Sequence, residues 1–287
     1  MNYGTINYTM DTIKYRYYSV LTIAGFDGSG GAGIQADIKT ISALGSYATS
    51  VLTALPVQNT SGVKSIHSIP TAVVKEQVQT ILEDIYPSAI KIGMVHTAEI
   101  VGTIIEALKD TKVPIVFDPV MVATSGHRLI ETATVTAIIE GLIPLADIIT
   151  PNLQEASILA DMPIYNVRDM FLAGEKIMKT GCKSVLIKGG HLESDQLTSL
   201  YFANDSTVHE FNYPKLNTQN THGSGCTLSS AIATYIAQGE TFLSAITLAQ
   251  EFVHSAIAEG INVKTGKGHG PLHHFYNPKA TIKYSLE

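Results

Sequence analysis

Short apolar runs alternate along this chain with longer stretches in which apolar positions recur every three or four residues. The runs at 20–24, 50–57, 89–94, 114–117, 147–150 and 184–188 predict strands. The helical spacing predicts helices over 34–44, 73–85, 99–109, 132–142, 155–159 and 169–180. Alternation at 197–202 and 207–211 predicts a hairpin, and a final helical region opens at Cys226. Its apolar stripe is Leu228, Ile232, Tyr235 and Ile236, with Gly239 placed to end the helix. Strands alternating with helices predict an α/β fold, a mostly parallel, doubly wound sheet in a single domain. No linker, internal repeat or low-complexity tract interrupts it.

Ligands of open α/β sheets sit beyond the carboxyl ends of the strands. Here those ends read Gly25-Phe26-Asp27-Gly28, Gln58-Asn59-Thr60, Asp118-Pro119, Pro151-Asn152 and Lys188-Gly189-Gly190-His191. Any one of them is an ordinary polar turn. Together they predict a site along one edge of the sheet.

Composition narrows what the site can serve. Only 15% of the residues are charged, against roughly 25% in an average soluble chain, which predicts surface shared with another subunit. The net charge is −6 and Lys and Arg form no run, which argues against nucleic acid. Two cysteines make no disulfide framework. Residues 1–18 are polar and Tyr-rich, without the apolar core of a leader, and no apolar stretch reaches the roughly 18 residues of a membrane span. A cytoplasmic protein is expected, with residues 1–19 as a flexible tail.

Two glycine motifs carry the candidate chemistry. Gly28-Ser29-Gly30-Gly31-Ala32-Gly33 matches G-x-G-x-x-G between a strand and a helix. A dinucleotide fold also needs an acid after the next strand to hold the ribose, and nothing acidic lies near Gln58. An NAD-binding oxidoreductase is thereby disfavoured, and no Walker A sequence supports a P-loop kinase. A backbone-rich loop closing over a small ligand remains, with Asp37 one turn into the helix. The second motif, Asn220-Thr221-His222-Gly223-Ser224-Gly225-Cys226-Thr227, places bare amides at a helix start, an anion site by geometry and dipole. The same dipole predicts a lowered pKa for the Cys226 thiol. Three readings of Cys226 stay open: a buried helix-start residue, a nucleophile with His222 as its base, or a general base beside a phosphate cradle.

The strings AGFDGSGGAGIQADIKT, TALPVQNT, KIGM, DPVM, TPNLQEA, KGGH, THGSGCT and GHGPLHHF resemble the hydroxymethylpyrimidine/phosphomethylpyrimidine kinase family of thiamine biosynthesis, within the ribokinase-like superfamily. The resemblance covers residues 20–277, leaving 278–287 as a C-terminal tail. It implies a three-layer α/β/α sandwich, a homodimer, ATP and Mg²⁺, and a hydroxymethyl pyrimidine as acceptor. Most of the superfamily carries an Asp base where this chain has Cys226, so the implied roles come from the thiamine branch.

In that branch's terms, Cys226 takes the proton of the substrate hydroxyl, while Gly223, Ser224 and Gly225 donate amides to the γ-phosphoryl group. Lys188, with Asn152 and Thr221, steadies the nucleotide, and Asp118 and Glu155 surround Mg²⁺. Gln58 pairs with the pyrimidine ring nitrogen and exocyclic amine, Met94 lies against the ring, and Gly25 and Asp37 sit at the substrate end. The segment 119–126 is read as a flap with Ala123 where kinases that accept pyridoxal carry a Cys. His269, His273 and His274 are read as packing, not metal ligands. The alternative within the fold is a pyridoxal or pyridoxine kinase, and a catalytically inactive vitamin sensor is a further possibility that the intact Cys226 loop argues against.

Overall fold

The computed structural model describes residues 14–121, 130–190 and 195–286. Its centre is a row of strands that are apolar on both faces. In β2 (Ser19–Ala24) every residue is buried; Leu21 and Ile23 face one helical layer and Val20 the other. The same split recurs in β6 (Ala89–Ile92), β7 (Ile115–Phe117), β8 (Ile148–Ile149) and β9 (Val185–Lys188). Continuous apolar runs are what a sheet covered on both sides demands. Each buried Ile or Leu contributes about 1.5–3 kcal/mol.

The main sheet has eight strands, in the order β11-β10-β9-β8-β7-β6-β2-β3, where β3 is Tyr47–Leu52, β10 is Gln196–Phe202 and β11 is Val208–Pro214. Strands β3 to β9 in that row run parallel, and the β10–β11 hairpin is antiparallel. Helices α2 (Thr71–Asp84), α3 (Ala98–Leu108), α6 (Leu153–Ala160) and α7 (Val167–Met178) cover one face. With them lies α4 (Thr132–Ala137), which runs through a π-helical turn at Ile138–Leu142 into α5 (Ile143–Leu145). Helices α1 (Gly33–Ala43), α8 (Ser224–Ala237) and α9 (Phe242–Gly260) cover the other. The result is an α/β/α sandwich. After β3 the chain returns to the far side of β2 to form β6, so the order reverses between β2 and β6, the place where such sheets open a crevice.

Three expectations change. The run at 50–57 is not one strand: it breaks at Thr53, and β4 (Ala54–Asn59) leaves the sheet to pair with β5 (Gly62–Ser68) as a separate hairpin. The final helical region opens at Ser224 instead of Cys226 and holds two helices, the first ended at Gly239 (φ 97°) as its place in the sequence predicts. The ends expected as tails join each other. β1 (Tyr15–Tyr17) pairs antiparallel with β12 (Lys283–Ser285), and Ile282 N–H donates to Gly45 O at 2.8 Å. Residues 1–13 and the Ala123 flap position lie outside the described residues. No helix among those described is long and apolar enough to cross a membrane.

Candidate active site

A cleft of about 790 Å³ opens at the carboxyl ends of β2, β6, β7 and β9. Gly25 follows β2, Met94 follows β6, Asp118 follows β7, and Asn152 and Lys188 bridge to each other at the ends beyond β8 and β9. The β4–β5 hairpin adds Pro56 and Gln58, alternate residues of one strand face. Of the predicted site residues, Gly25, Gln58, Met94, Asp118, Asn152, Glu155, Lys188, Thr221, Gly223, Ser224, Gly225 and Cys226 all line this cleft.

Asp37 does not. It is fully buried on α1, ion-paired to Lys91 at 2.9 Å, and it accepts hydrogen bonds from Thr22 Oγ1 at 2.6 Å and Ser230 Oγ at 2.7 Å. A helix acid one turn past a ligand loop reads as a site residue in sequence; here the helix turns it into the core, where a buried charge needs its partner.

The first glycine loop is organised by Asp27, which is 1% exposed. Its carboxylate accepts the backbone N–H groups of Ser29 (2.9 Å), Gly31 (3.2 Å) and Ala32 (2.7 Å) and lies 2.8 Å from His222 Nε2. Burial alone raises its pKa, but bonds from His222, Ser29 and Gln58 outweigh it and hold the group well below the usual carboxylate range. Gly33, at φ 55°, brings the loop back against β2; a Cβ there would strike the Gly25 carbonyl oxygen. At Gly25 a Cβ would come within 2.5 Å of Met94 Cε, so the two expected ring neighbours pack on each other.

The second loop caps α8. Gly223 takes φ 81° at the N-cap, and a side chain there would overlap Gly31 O, so the two glycine loops touch backbone to backbone. The Ser224 N–H closes onto Thr221 O at 3.1 Å, which removes it from the expected cradle. The amides of Gly225 and Cys226 take no backbone acceptor among the described residues, as expected of a first helical turn. Gly225 must be small: a Cβ would meet Lys188 Nζ at 3.2 Å and Asp118 Oδ2 at 3.5 Å. The Cys226 expectation reverses. Burial pushes the thiol up to about 11; Lys91 and the Gly33 amide pull against it, while Asp37 and Asp118 add to it.

Lys188 Nζ sits 2.8 Å from Asp118 Oδ1, which also accepts from Thr150 Oγ1 at 3.1 Å. Burial opposes the Lys188 charge, but Asp118 and Glu155 raise its pKa. Asn152 and Glu155 form a reciprocal capping box on α6: Glu155 N–H donates to Asn152 Oδ1 at 3.0 Å, and Asn152 N–H to Glu155 Oε2 at 2.8 Å. Burial raises the Glu155 carboxyl to about 7, with Lys188 lowering it and Asp118 raising it.

The model of a family described as phosphomethylpyrimidine kinase matches residues 27–273. The chain belongs to this family. A hydroxymethylpyrimidine/phosphomethylpyrimidine kinase of Rhizobium meliloti is 43% identical over 257 residues, covering 89% of this chain and 96% of that protein. A crystal structure of a Clostridium difficile phosphomethylpyrimidine kinase is 42% identical, with a TM-score of 0.74 over 83% of this chain and 99% of that one. The pyridoxal kinase of Staphylococcus aureus, solved with AMP-PCP and pyridoxal, is 33% identical, with a TM-score of 0.83 over 94% of this chain and all of that one. The expected ribokinase-like sandwich and kinase class therefore hold.

Sequence reasoning missed three residues of this kinase. Asp27 reads in sequence as a strand end, and its place directly before the glycines is the available signal. Lys91, in the string KIGM, hid inside an apolar strand. Ser230 carried no signal, because only the fold brings α8 beside α1. The donor set suits one hard cation: both bonds to Asp118 recorded among the described residues fall on Oδ1, leaving Oδ2 beside Gly225 and the cleft. Glu155 is less available, since both of its oxygens accept backbone N–H groups.

Proposed function

We propose that this cleft moves the γ-phosphoryl group of ATP onto the hydroxyl of 4-amino-5-hydroxymethyl-2-methylpyrimidine, and then phosphorylates the resulting monophosphate to the diphosphate. One observation carries the reading most: the Gly225–Cys226 amides, Lys188 and Gln58 line the same cleft. The Gln58 amide faces the Asp27 carboxylate closely enough to lower its pKa. A primary amide keeps a second N–H and its carbonyl, enough to meet a ring nitrogen and an exocyclic amine together. The amides of Gly225 and Cys226 take up charge developing on the transferred group, and Lys188 supplies a fixed positive charge beside it. Cys226 accepts the hydroxyl proton as the bond to phosphorus forms. Asp118 is the residue read to hold Mg²⁺, whose chemistry is to neutralise the triphosphate.

Further parts of the reading are a homodimer and a cytoplasmic setting. The outward face of β4 exposes Leu55 and Val57, which supports a subunit contact. Neither cysteine is paired, which supports a reducing compartment.

The runner-up is pyridoxal, favoured by the closeness of backbone shape to the Staphylococcus aureus enzyme. Incubation with Mg-ATP and each ring alcohol, followed by mass spectrometry of the products, tests the reading. The mono- and diphosphate of the pyrimidine are expected. Turnover of pyridoxal with neither pyrimidine product would refute it.

A further inference from the structure

Beneath Cys226 lies a fully buried ion pair that touches no ligand. Helices α1 and α8 meet through two pairs of residues, each one helical turn apart. Ser230 Oγ donates to Asp37 Oδ1 at 2.7 Å, and the Gly33 amide favours the Cys226 thiolate. Residues four apart share a helix face, so Cys226 stands one turn above Ser230 and Gly33 one turn above Asp37. Lys91, from β6, comes up between them: its Nζ lies 3.0 and 2.9 Å from the two Asp37 oxygens. Both members are 0% exposed. A Cβ at Gly93 would come within 2.6 Å of Nζ, so the strand leaves only enough room for the ammonium.

Such a pair is costly as a source of stability, since desolvation offsets most of its attraction. Its position gives it another use. The charged groups acting on the thiol are Lys91 from β6 and Asp37 from α1, with Asp118 after β7 and Lys188 at the end of β9. Only Lys91 and Asp37 lie outside the cleft wall, so their charges stay fixed whatever ligand is bound.

We infer that Lys91 and Asp37 are positioning residues that set the proton affinity of Cys226, and that they serve the first phosphorylation and not the second. This rests on the reading of Cys226 as base. In the first step the alcohol O–H bond breaks and its proton passes to sulfur. The O–P bond forms as the bond from Pγ to the bridging oxygen breaks, and ADP departs with that electron pair. The sulfur later gives its proton to water. In the second step the attacking oxygen belongs to a phosphate monoester that is already ionised, so no proton has to be taken. A cation below the sulfur favours the thiolate, and the carboxylate beside it disfavours it.

The test measures both phosphorylations separately, together with the alkylation rate of Cys226 by iodoacetamide at pH 9, read on its own peptide. Lys91→Met is expected to slow alkylation and the first step about tenfold or more, with the second step within threefold. Asp37→Asn is expected to speed alkylation. A purely structural pair would move both variants the same way and depress both steps equally, and that result would overturn the inference. If either single variant fails to fold, Asp37→Leu/Lys91→Met leaves no unpaired charge; Lys91 is the stronger of the two opposing influences on the thiol, so the double variant is expected to slow the first step alone, by less than tenfold, and an unchanged ratio of the two steps would count against the proposal. Cys226→Ala, run alongside, separates the readings. If it spares the first step, the base assignment fails; if it loses that step while the Lys91 variants do not, only the present inference fails.

Discussion

His222 Nε2 lies 2.8 Å from Asp27 Oδ2, and this contact ties the first glycine loop to the second. The carboxylate is ionised and only accepts, so His222 donates from Nε2. The first loop is held by the amides that donate to Asp27, and the second by Asn220, whose side chain donates to Gly260 O and Val263 O. Joined through Asp27, they close as one wall.

Asp27→Asn should therefore loosen both loops. One oxygen becomes a donor facing donors, and a loss of about 1–3 kcal/mol is expected for a buried charged acceptor. The KM for the pyrimidine should rise at least about tenfold, or about 1.4 kcal/mol. The pKa of Asp27 is depressed, so its contribution is complete above its unfolded value of about 4 and fades as pH falls through the lower folded value. Urea unfolding at neutral pH and in strong acid checks this: the gap between wild type and variant should narrow in acid.

At Gly223 the φ of 81° and the contact with Gly31 O leave no room for a methyl group. Gly223→Ala should cost about 2 kcal/mol or more, from the left-handed backbone alone and then the collision. Thermal melting with and without ATP is the check. A variant as stable and active as wild type would show that this turn is not the one that matters.

With burial pushing its thiol up to about 11, Cys226 is protonated at neutral pH. The thiolate fraction rises about tenfold per pH unit below that value, so the first phosphorylation should speed up from pH 7 to pH 9. Cys226→Ala should flatten the profile and lower kcat about 10²- to 10⁴-fold, the scale of a general base. ATP binding, measured by calorimetry, should change little, because the backbone amides remain.

Lys188→Met removes the cation between Asp118 and Glu155. The Glu155 carboxyl, already raised to about 7, should rise further, since Lys188 is what lowers it. The KM for ATP is expected to increase about tenfold or more, with both phosphorylations affected alike. A change confined to one phosphorylation would argue against a role on the nucleotide.

Much of this was legible in the sequence because apolar runs buried on both faces have a plain signature, as in 89–92 and 185–188. The polar strand ends then located the site. What stayed hidden depends on three-dimensional neighbours. Asp37 looks like a site acid until α1 turns it inward onto Lys91. The break at Thr53 is invisible in an unbroken strand-like run, because only the sheet edge decides that β4 departs. The helix start at Cys226 is readable, but the burial that raises its thiol is not. The pairing of β1 with β12 joins segments from opposite ends of the chain, beyond any local pattern.

In the proposed reaction a pyrimidine amine, met by Gln58, selects the substrate. A site built for a polar partner discriminates strongly when that partner is missing, and pyridoxal offers a phenolic oxygen in its place. The most direct measurement is kcat/KM for the hydroxymethyl pyrimidine and for pyridoxal, side by side, in wild type and in Gln58→Leu. A preference for the pyrimidine of at least about tenfold, or about 1.4 kcal/mol, is expected, and Gln58→Leu should largely remove it. Equal or better kcat/KM for pyridoxal in wild type would contradict it and make this a vitamin B6 kinase.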